Sequence, residues 1–444
     1  MASDKSVITW IFISVLVDLL GFTVILPLFP ALLDYYAKSE NDQLYNTVLS
    51  WVESFRSLLR IPVEEPVTSV LFGGLLGALF SFLQYVNAPL LGALSDKYGR
   101  KRIIILSLFG SSFACWMWSG ANTFACFVAA RIVAGISEGN ISICMAALAD
   151  LEDKKAKSRG MAMVGVAYSI GFTVGPFVGA YMSSLLKADQ EFFAIPAYFA
   201  LAMCLLDIVI VYLFLPETLP EEKRASSLYL SWREGLDLIN PKKMFAFRAV
   251  EMSSHDRCCV SIIGLAYFLY LFFFSGLEFT LTFLTHNRFG FTRMDQGKMF
   301  AVLGVIMTLV QGGYIRRAMI GREIAIAKRS ICVLIVGFVV IGFATEAWVL
   351  YAGLVPFAYA AASVVPCLSS AVSNYGGISE KGRVMGTLRS LGALARATGP
   401  CFASVLYWLL GSRFAYVLGG LLLLLPLKVL KILNKVLAKH AKEN

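Results

Sequence analysis

The run Gly92-Ala-Leu-Ser-Asp96-Lys-Tyr-Gly99-Arg100-Lys101-Arg102 is polar, and long apolar segments flank it on both sides. It reads as a tight turn between two helices. Gly99 permits the turn, and Gly92 is expected to let a neighbouring helix approach closely. Asp96 can pair with a basic residue or cap a neighbouring helix end. Such a cluster can lock one conformation at the mouth of a helical bundle and release it in another. Its four basic residues alone would suit any loop on the positively charged side of a membrane. They do not account for Gly92, Asp96 and Gly99 at this spacing.

Outward from that turn the chain is dominated by apolar runs. Of 444 residues, 58% are hydrophobic and 15% charged. Soluble domains carry roughly 25% charged residues. The mean hydropathy is +0.72. These values exclude a soluble enzyme, a disordered chain and a disulfide-rich secreted module. A membrane span needs about 20 mostly apolar residues. Twelve such runs are expected near 7–30, 69–94, 103–121, 123–149, 160–186, 194–215, 260–285, 297–315, 327–345, 347–374, 383–409 and 412–432. The first is too long for a signal-peptide core and reads as a retained span. The fold expected is all-α, with twelve transmembrane helices in two six-helix halves. The halves are 1–216 and 260–444, with a loop at 217–259. Within that loop, 231–240 is amphipathic enough to lie on the membrane surface.

The net charge of +10 is then a matter of topology. With the N-terminus in the cytoplasm, 28 of the 39 Lys and Arg fall in inward segments and eight in outward ones. That asymmetry places both termini in the cytoplasm. Because the cations are spread over many segments, a nucleic-acid partner is not expected. The nine Cys mostly lie in apolar runs and the three His are scattered, so no metal site is expected. There is no G-x-x-x-x-G-K-[ST] motif and no catalytic constellation, so neither a cofactor nor enzyme chemistry is expected.

Seven charges remain inside the spans: Asp18, Arg131, Glu138, Asp207, Glu278, Arg389 and Arg396. Each is costly in lipid and points to function. Asp18 and Arg131 lie at comparable depth and are candidates to pair. A carboxylate held between a cation and a desolvating interior can gain and lose a proton as access alternates. Glu138 lies two turns from Arg131 and is either a second proton site or a structural partner. Asp207 reads as structural. Arg389 and Arg396 share one helix face and can attract an anionic substrate group, unless they meet Glu278 or a backbone carbonyl. The aromatics of the seventh run either stack on an organic substrate or pack the bundle.

The fifth run carries Gly171-Phe-Thr-Val-Gly175-Pro176-Phe-Val-Gly179. Its glycines bare one helix face, and Pro176 allows a kink. Gly399-Pro400 holds the matching place in the eleventh run, and Gly312-Gly313-Tyr-Ile-Arg316-Arg317 faintly echoes 92–102. Such repeats suit alternating access around a central site.

The 92–102 turn resembles the signature loop of the major facilitator superfamily, and 171–180 resembles its antiporter motif. Asp18-Leu-Leu-Gly-Phe-Thr-Val-Ile-Leu-Pro27-Leu-Phe-Pro30 and Arg131-Ile-Val-Ala-Gly135 are similar to bacterial tetracycline:proton antiporters. Leu215-Pro-Glu-Thr-Leu-Pro220 and Val384-Met-Gly-Thr-Leu-Arg389-Ser-Leu-Gly-Ala-Leu-Ala-Arg396 look closer to an animal, tetracycline-transporter-like branch. The resemblance implies transport of small organic ions, drugs or organic anions among them. The function expected is proton-coupled antiport by a monomer in a plasma or internal membrane. The rivals are an uncoupled uniporter and a non-transporting scaffold or receptor. The polar 34–68 stretch and Glu138 depart from the bacterial pattern, so tetracycline specificity is not carried over.

Overall fold

The computed structural model describes residues 4–38, 42–59, 68–151, 153–185, 193–224, 240–248, 250, 252–315, 321–375 and 381–443. The described residues are helical, with no strand among them. In the first part of the chain the helices are α1 (Asp4–Thr23), α2 (Phe29–Ala37), α3 (Gln43–Leu59), α4 (Thr68–Tyr98), α5 (Arg100–Ser119), α6 (Phe124–Ser137), α7 (Asn140–Ala149), α8 (Lys154–Ser184) and α9 (Ala194–Phe214). Then follow α10 (Pro241–Phe245), α11 (Ser254–Phe289), α12 (Arg293–Leu309), α13 (Glu323–Phe343), α14 (Ala347–Ser373), α15 (Lys381–Leu422) and α16 (Leu424–Glu443).

Eleven segments are long and apolar enough to cross a membrane. The last runs for 50 residues, Val384–Leu433. It contains two helices that meet at Gly411, where φ is +72°. Fifty residues are enough for two crossings, as the sequence led one to expect. The first span bends where Pro27 and Pro30 start new helical turns, a position that needs no N–H donor.

The helices are inverted relative to those of a soluble protein. On α5, Leu106, Phe109, Phe113 and Trp116 are 51–59% exposed on one side. Ser107, Ser111 and Ser112 are buried on the other. A helix turns large apolar residues outward only when its surroundings are apolar too.

The 34–68 stretch is not a plain polar loop. It contains α3, whose Tyr45 and Val52 are buried while Trp51 is exposed. Asp42 starts this helix by accepting from Tyr45 N at 3.1 Å, and it also accepts from Phe124 N at the start of α6. One carboxylate therefore caps two helices. Of the amphipathic 231–240 segment, residues 231–239 lie outside the described residues, as do Arg316 and Arg317 of the faint second turn. Gly312 and Gly313 lie in a π-helical turn, Val310–Ile315, which ends α12.

By its contacts the chain divides into two compact units. The first comprises residues 1–236 and 285–304, and the second 237–284 and 305–444. In the first, a core of Ile11, Val15, Leu19, Ile104, Leu108, Ile143, Leu148 and Val211 ties α1, α5, α7 and α9 together. In the second, α13 packs along α14 and α15.

Candidate transport site and gate

The 92–102 turn forms a closed ionic network. Gly99 has φ +98° and sits at the start of α5, so it supplies the reversal that an L side chain resists. Arg100 pairs with Asp96 at 2.5 Å and donates to Asp150 through Nε at 3.0 Å and Nη2 at 3.4 Å. Its Nη1 also donates to Ser95 Oγ at 2.7 Å. Glu217 covers the N-terminus of α5, accepting from Arg100 N at 2.9 Å and Lys101 N at 3.3 Å. A carboxylate there satisfies two otherwise unpaired N–H groups and complements the helix dipole. Thr218 donates to Asp150 as well, at 3.3 Å.

Asp150 and Glu217 were not singled out in the sequence. Glu217 lies within the quoted 215–220 stretch, but nothing there says that it reaches a loop more than a hundred residues earlier. Gly92 departs from expectation. A side chain built there would meet nothing within 4 Å, so among the described residues no helix approaches it closely.

The bare face of α8 is a contact with α1. Gly171, Gly175 and Gly179 face Leu19, Thr23 and the Val24 carbonyl respectively. Thr23 Oγ1 is shared between Leu19 O at 2.8 Å and Gly171 O at 3.0 Å, which locks the two helices. Pro176 lies inside α8, which continues through it. The second unit repeats the arrangement. Gly399 lies against Phe272 and Ser275 of α11, and Gly276 of α11 faces Gly399. Close backbone approach over small residues is the usual way for helices to associate in lipid.

The interior charges of the first unit converge from three helices. Asp18 of α1, Arg131 of α6, Glu138 at the end of α6 and Asp207 of α9 are all buried. Asp18 and Arg131 form no ion pair, contrary to expectation. The polar side chain beside Asp18 is Asn140, at the start of α7. Arg131 instead lies over the rings of Phe127 and Trp118, at 5.5 Å and 5.7 Å, with Glu138 and Tyr36 in electrostatic reach. A desolvated cation–π contact of this kind is worth about 2 kcal/mol. Asp18 Oδ2, Arg131 Nε, both Asn140 side-chain polar atoms and both Asp207 oxygens have no hydrogen-bond partner. Asp207 lies near Ser14 and within electrostatic reach of Asp18, so it belongs to the same cluster. Asn140 escaped notice because an amide in an apolar run carries no charge to flag it. It follows the break at Glu138 and Gly139 that separates α6 from α7.

At the other end of α1 and α2, His286 Nε2 lies 2.8 Å from Asp34 Oδ2. No spacing rule joins residues 252 positions apart.

In the second unit, Glu278 is half-buried with Arg396 in electrostatic reach, and Arg396 is exposed. Arg389 is half-buried, about two turns earlier on the same helix. Most aromatics of α11 pack the bundle. Tyr270 and Phe283 are fully buried, and Phe274 stacks on Phe357 at 4.9 Å. Phe268, Phe272 and Phe279 are half-buried. Among the described residues no cluster of His, Cys, Asp and Glu has the arrangement of a metal site.

Lipid-facing apolar helices around a charged interior, with glycine-lined helix crossings in both units, are the features of a multi-span membrane transporter. The profile of the Major Facilitator Superfamily matches residues 11–400, and the chain belongs to that superfamily. It is 45% identical to major facilitator superfamily domain-containing protein 10 of Bos taurus over 438 residues, which are 98% of this chain and 94% of that protein. It is 24% identical over 422 residues to the class H tetracycline resistance protein of Pasteurella multocida, covering 92% of this chain and 93% of that one. The crystal structure of the human organic anion transporter MFSD10 (TETRAN) superposes with a TM-score of 0.81 at 44% identity, covering 97% of this chain and all of that one. The chain is thus an all-α, multi-pass membrane transporter of this superfamily.

Proposed function

We propose that the protein exchanges small organic anions for protons by alternating access, as a monomer with both termini in the cytoplasm. The observation that carries this reading is the pair of buried acids Asp18 and Glu138, within electrostatic reach of each other and without an ion pair among the described residues, with Arg131 in reach of Glu138. A carboxylate in that setting is stabilised as readily by a proton as by a charge partner, so small changes of access shift its occupancy. Arg131 acts on Glu138 without forming an ion pair with it. Arg389 and Arg396 supply the cations for an anionic substrate, and Glu278 opposes Arg396 when no anion is present. The human relative's description as an organic anion transporter supports that choice of substrate class. Gly92, Asp96, Gly99 and Arg100 form the gate on the cytoplasmic side, and Gly171, Gly175, Pro176 and Gly179 the pivot of α8 on α1.

The test is uptake of a panel of radiolabelled aromatic carboxylates and sulfonates into proteoliposomes with an imposed pH gradient. Accumulation that a protonophore collapses is the expected result. Uptake indifferent to both pH gradient and voltage would replace the exchanger with a uniporter. No uptake of any anion would remove the substrate class.

A further inference from the structure

The last helix, α16, carries a feature that exchange of anions for protons does not use. Lys428, Lys431, Lys435, Lys439 and Lys442 follow one another at intervals of three, four, four and three residues. At 3.6 residues per turn these positions fall on one face, and the first three, Lys428, Lys431 and Lys435, form a stripe about 11 Å long. Lys428, Lys431 and Lys435 are exposed. The opposite face, Leu427, Leu430 and Leu433, is buried, and α16 packs against α13 and α15.

A second helix adds to the same cationic surface. Lys328 of α13 is half-buried and lies within electrostatic reach of Lys431. Among the described residues no carboxylate forms an ion pair with any of these four lysines. The acid nearest in sequence to Lys328 on α13, Glu323, is engaged with the Gly321 N–H at 3.3 Å. Like charges held together without a counter-charge repel, and the fold would relieve this if an anion came from outside.

Neighbouring apolar side chains identify that anion. Leu424, Leu425 and Ile432 are 40–52% exposed beside the first turns of the stripe. Exposed aliphatic residues followed by exposed lysines mark the level at which hydrocarbon gives way to headgroups. A row of cations along a helix at that level fits a row of lipid phosphates better than one soluble anion. We infer that the lysine face of α16, with Lys328 of α13, is a binding site for anionic phospholipid headgroups that anchors the C-terminal helix to its own leaflet.

The test uses the full-length protein in nanodiscs of phosphatidylcholine containing a minority of phosphatidylserine. Native mass spectrometry counts the lipids retained on release. The native chain is expected to retain phosphatidylserine selectively. The triple variant Lys428→Gln, Lys431→Gln, Lys435→Gln is expected to lose about a hundredfold in that selectivity, since each lysine near an anionic surface contributes roughly a fivefold factor. The triple Arg variant is expected to keep it, which separates charge from folding. Equal selectivity in the Gln and native chains overturns the proposal, and is the result expected if the stripe instead recognises an acidic protein segment. Release of the lipid by millimolar inorganic phosphate also overturns it, because the site would then be one for free phosphate.

Discussion

The first unit contains two clusters of charge that obey opposite rules. At the 92–102 turn, Arg100 engages Asp96, Asp150 and Ser95, while Glu217 covers the helix end beside it. In the interior, Asp18, Arg131, Asn140 and Asp207 all carry polar atoms with no partner. Burying an unpartnered polar atom costs about 1–3 kcal/mol, more when it is charged. A fully paired network is a structure that must be broken to move. An unpaired one is a set of groups whose charge can change without breaking anything. In the proposed function the first cluster holds a conformation and the second exchanges protons, and each role can be challenged separately.

The strongest challenge is Asp18→Asn. The amide has nearly the same shape and cannot exchange a proton. Uptake driven by a pH gradient is expected to vanish in proteoliposomes, while anion–anion exchange or leak persists. An unchanged pH dependence would take the coupling role from Asp18 and leave Glu138 or Asp207 as the carrier. Next in size is Arg100→Gln. Removing one member of a largely buried charge network typically costs 3–5 kcal/mol, and here the side chains of Arg100 and Asp150 are 9% and 17% exposed. A loss of about 3 kcal/mol, seen as a lowered unfolding midpoint in detergent, is expected. The same measurement on Arg131→Gln is expected to show a smaller loss, because Arg131 has ring faces rather than carboxylates as partners. Equal losses would erase the distinction between the two clusters.

The two clusters also differ in how legible they were. Spans could be counted from hydropathy because lipid demands long apolar runs. The turn was legible because its glycines and charges sit together within eleven residues. Its completion by Asp150 and Glu217 was not, since both acids arrive from helix ends distant in sequence. In the interior, Asp18, Arg131 and Glu138 stood out as charges in apolar runs. Their pairing did not follow, because equal depth in the bilayer does not set the azimuth of a side chain. Arg131 turns toward Trp118 and Phe127, and Asp18 toward Asn140. From the sequence alone Asp207 reads as structural. Its full burial near Ser14 and Asp18 places it beside one of the acids proposed to exchange protons.

Gly99→Ala is expected to have a smaller effect than either charge change. The residue has φ +98°, and a side chain there would contact Glu217. Strain of this kind costs about 1–3 kcal/mol. Loss of the Glu217 cap through Glu217→Gln is expected to cost about 1 kcal/mol. Combining the two should cost less than their sum, because both disturb the same contact. Full additivity in the unfolding midpoints would mean that Glu217 does not hold the turn.

The smallest effect is expected at Gly92, the other glycine of the same turn. It lies inside α4, with nothing within 4 Å of the position a Cβ would take. Alanine there removes backbone freedom from the unfolded chain and adds no clash. Gly92→Ala is expected to be neutral or to stabilise the helix by up to about 1 kcal/mol. If Gly92 serves only the conformation described here, transport should be unchanged as well. A stable Gly92→Ala protein that fails to transport would show instead that a helix closes on this glycine in another state of the cycle. That outcome would move Gly92 from the holding cluster to the moving parts, and would place the gate's second conformation on the face of α4 that is open here.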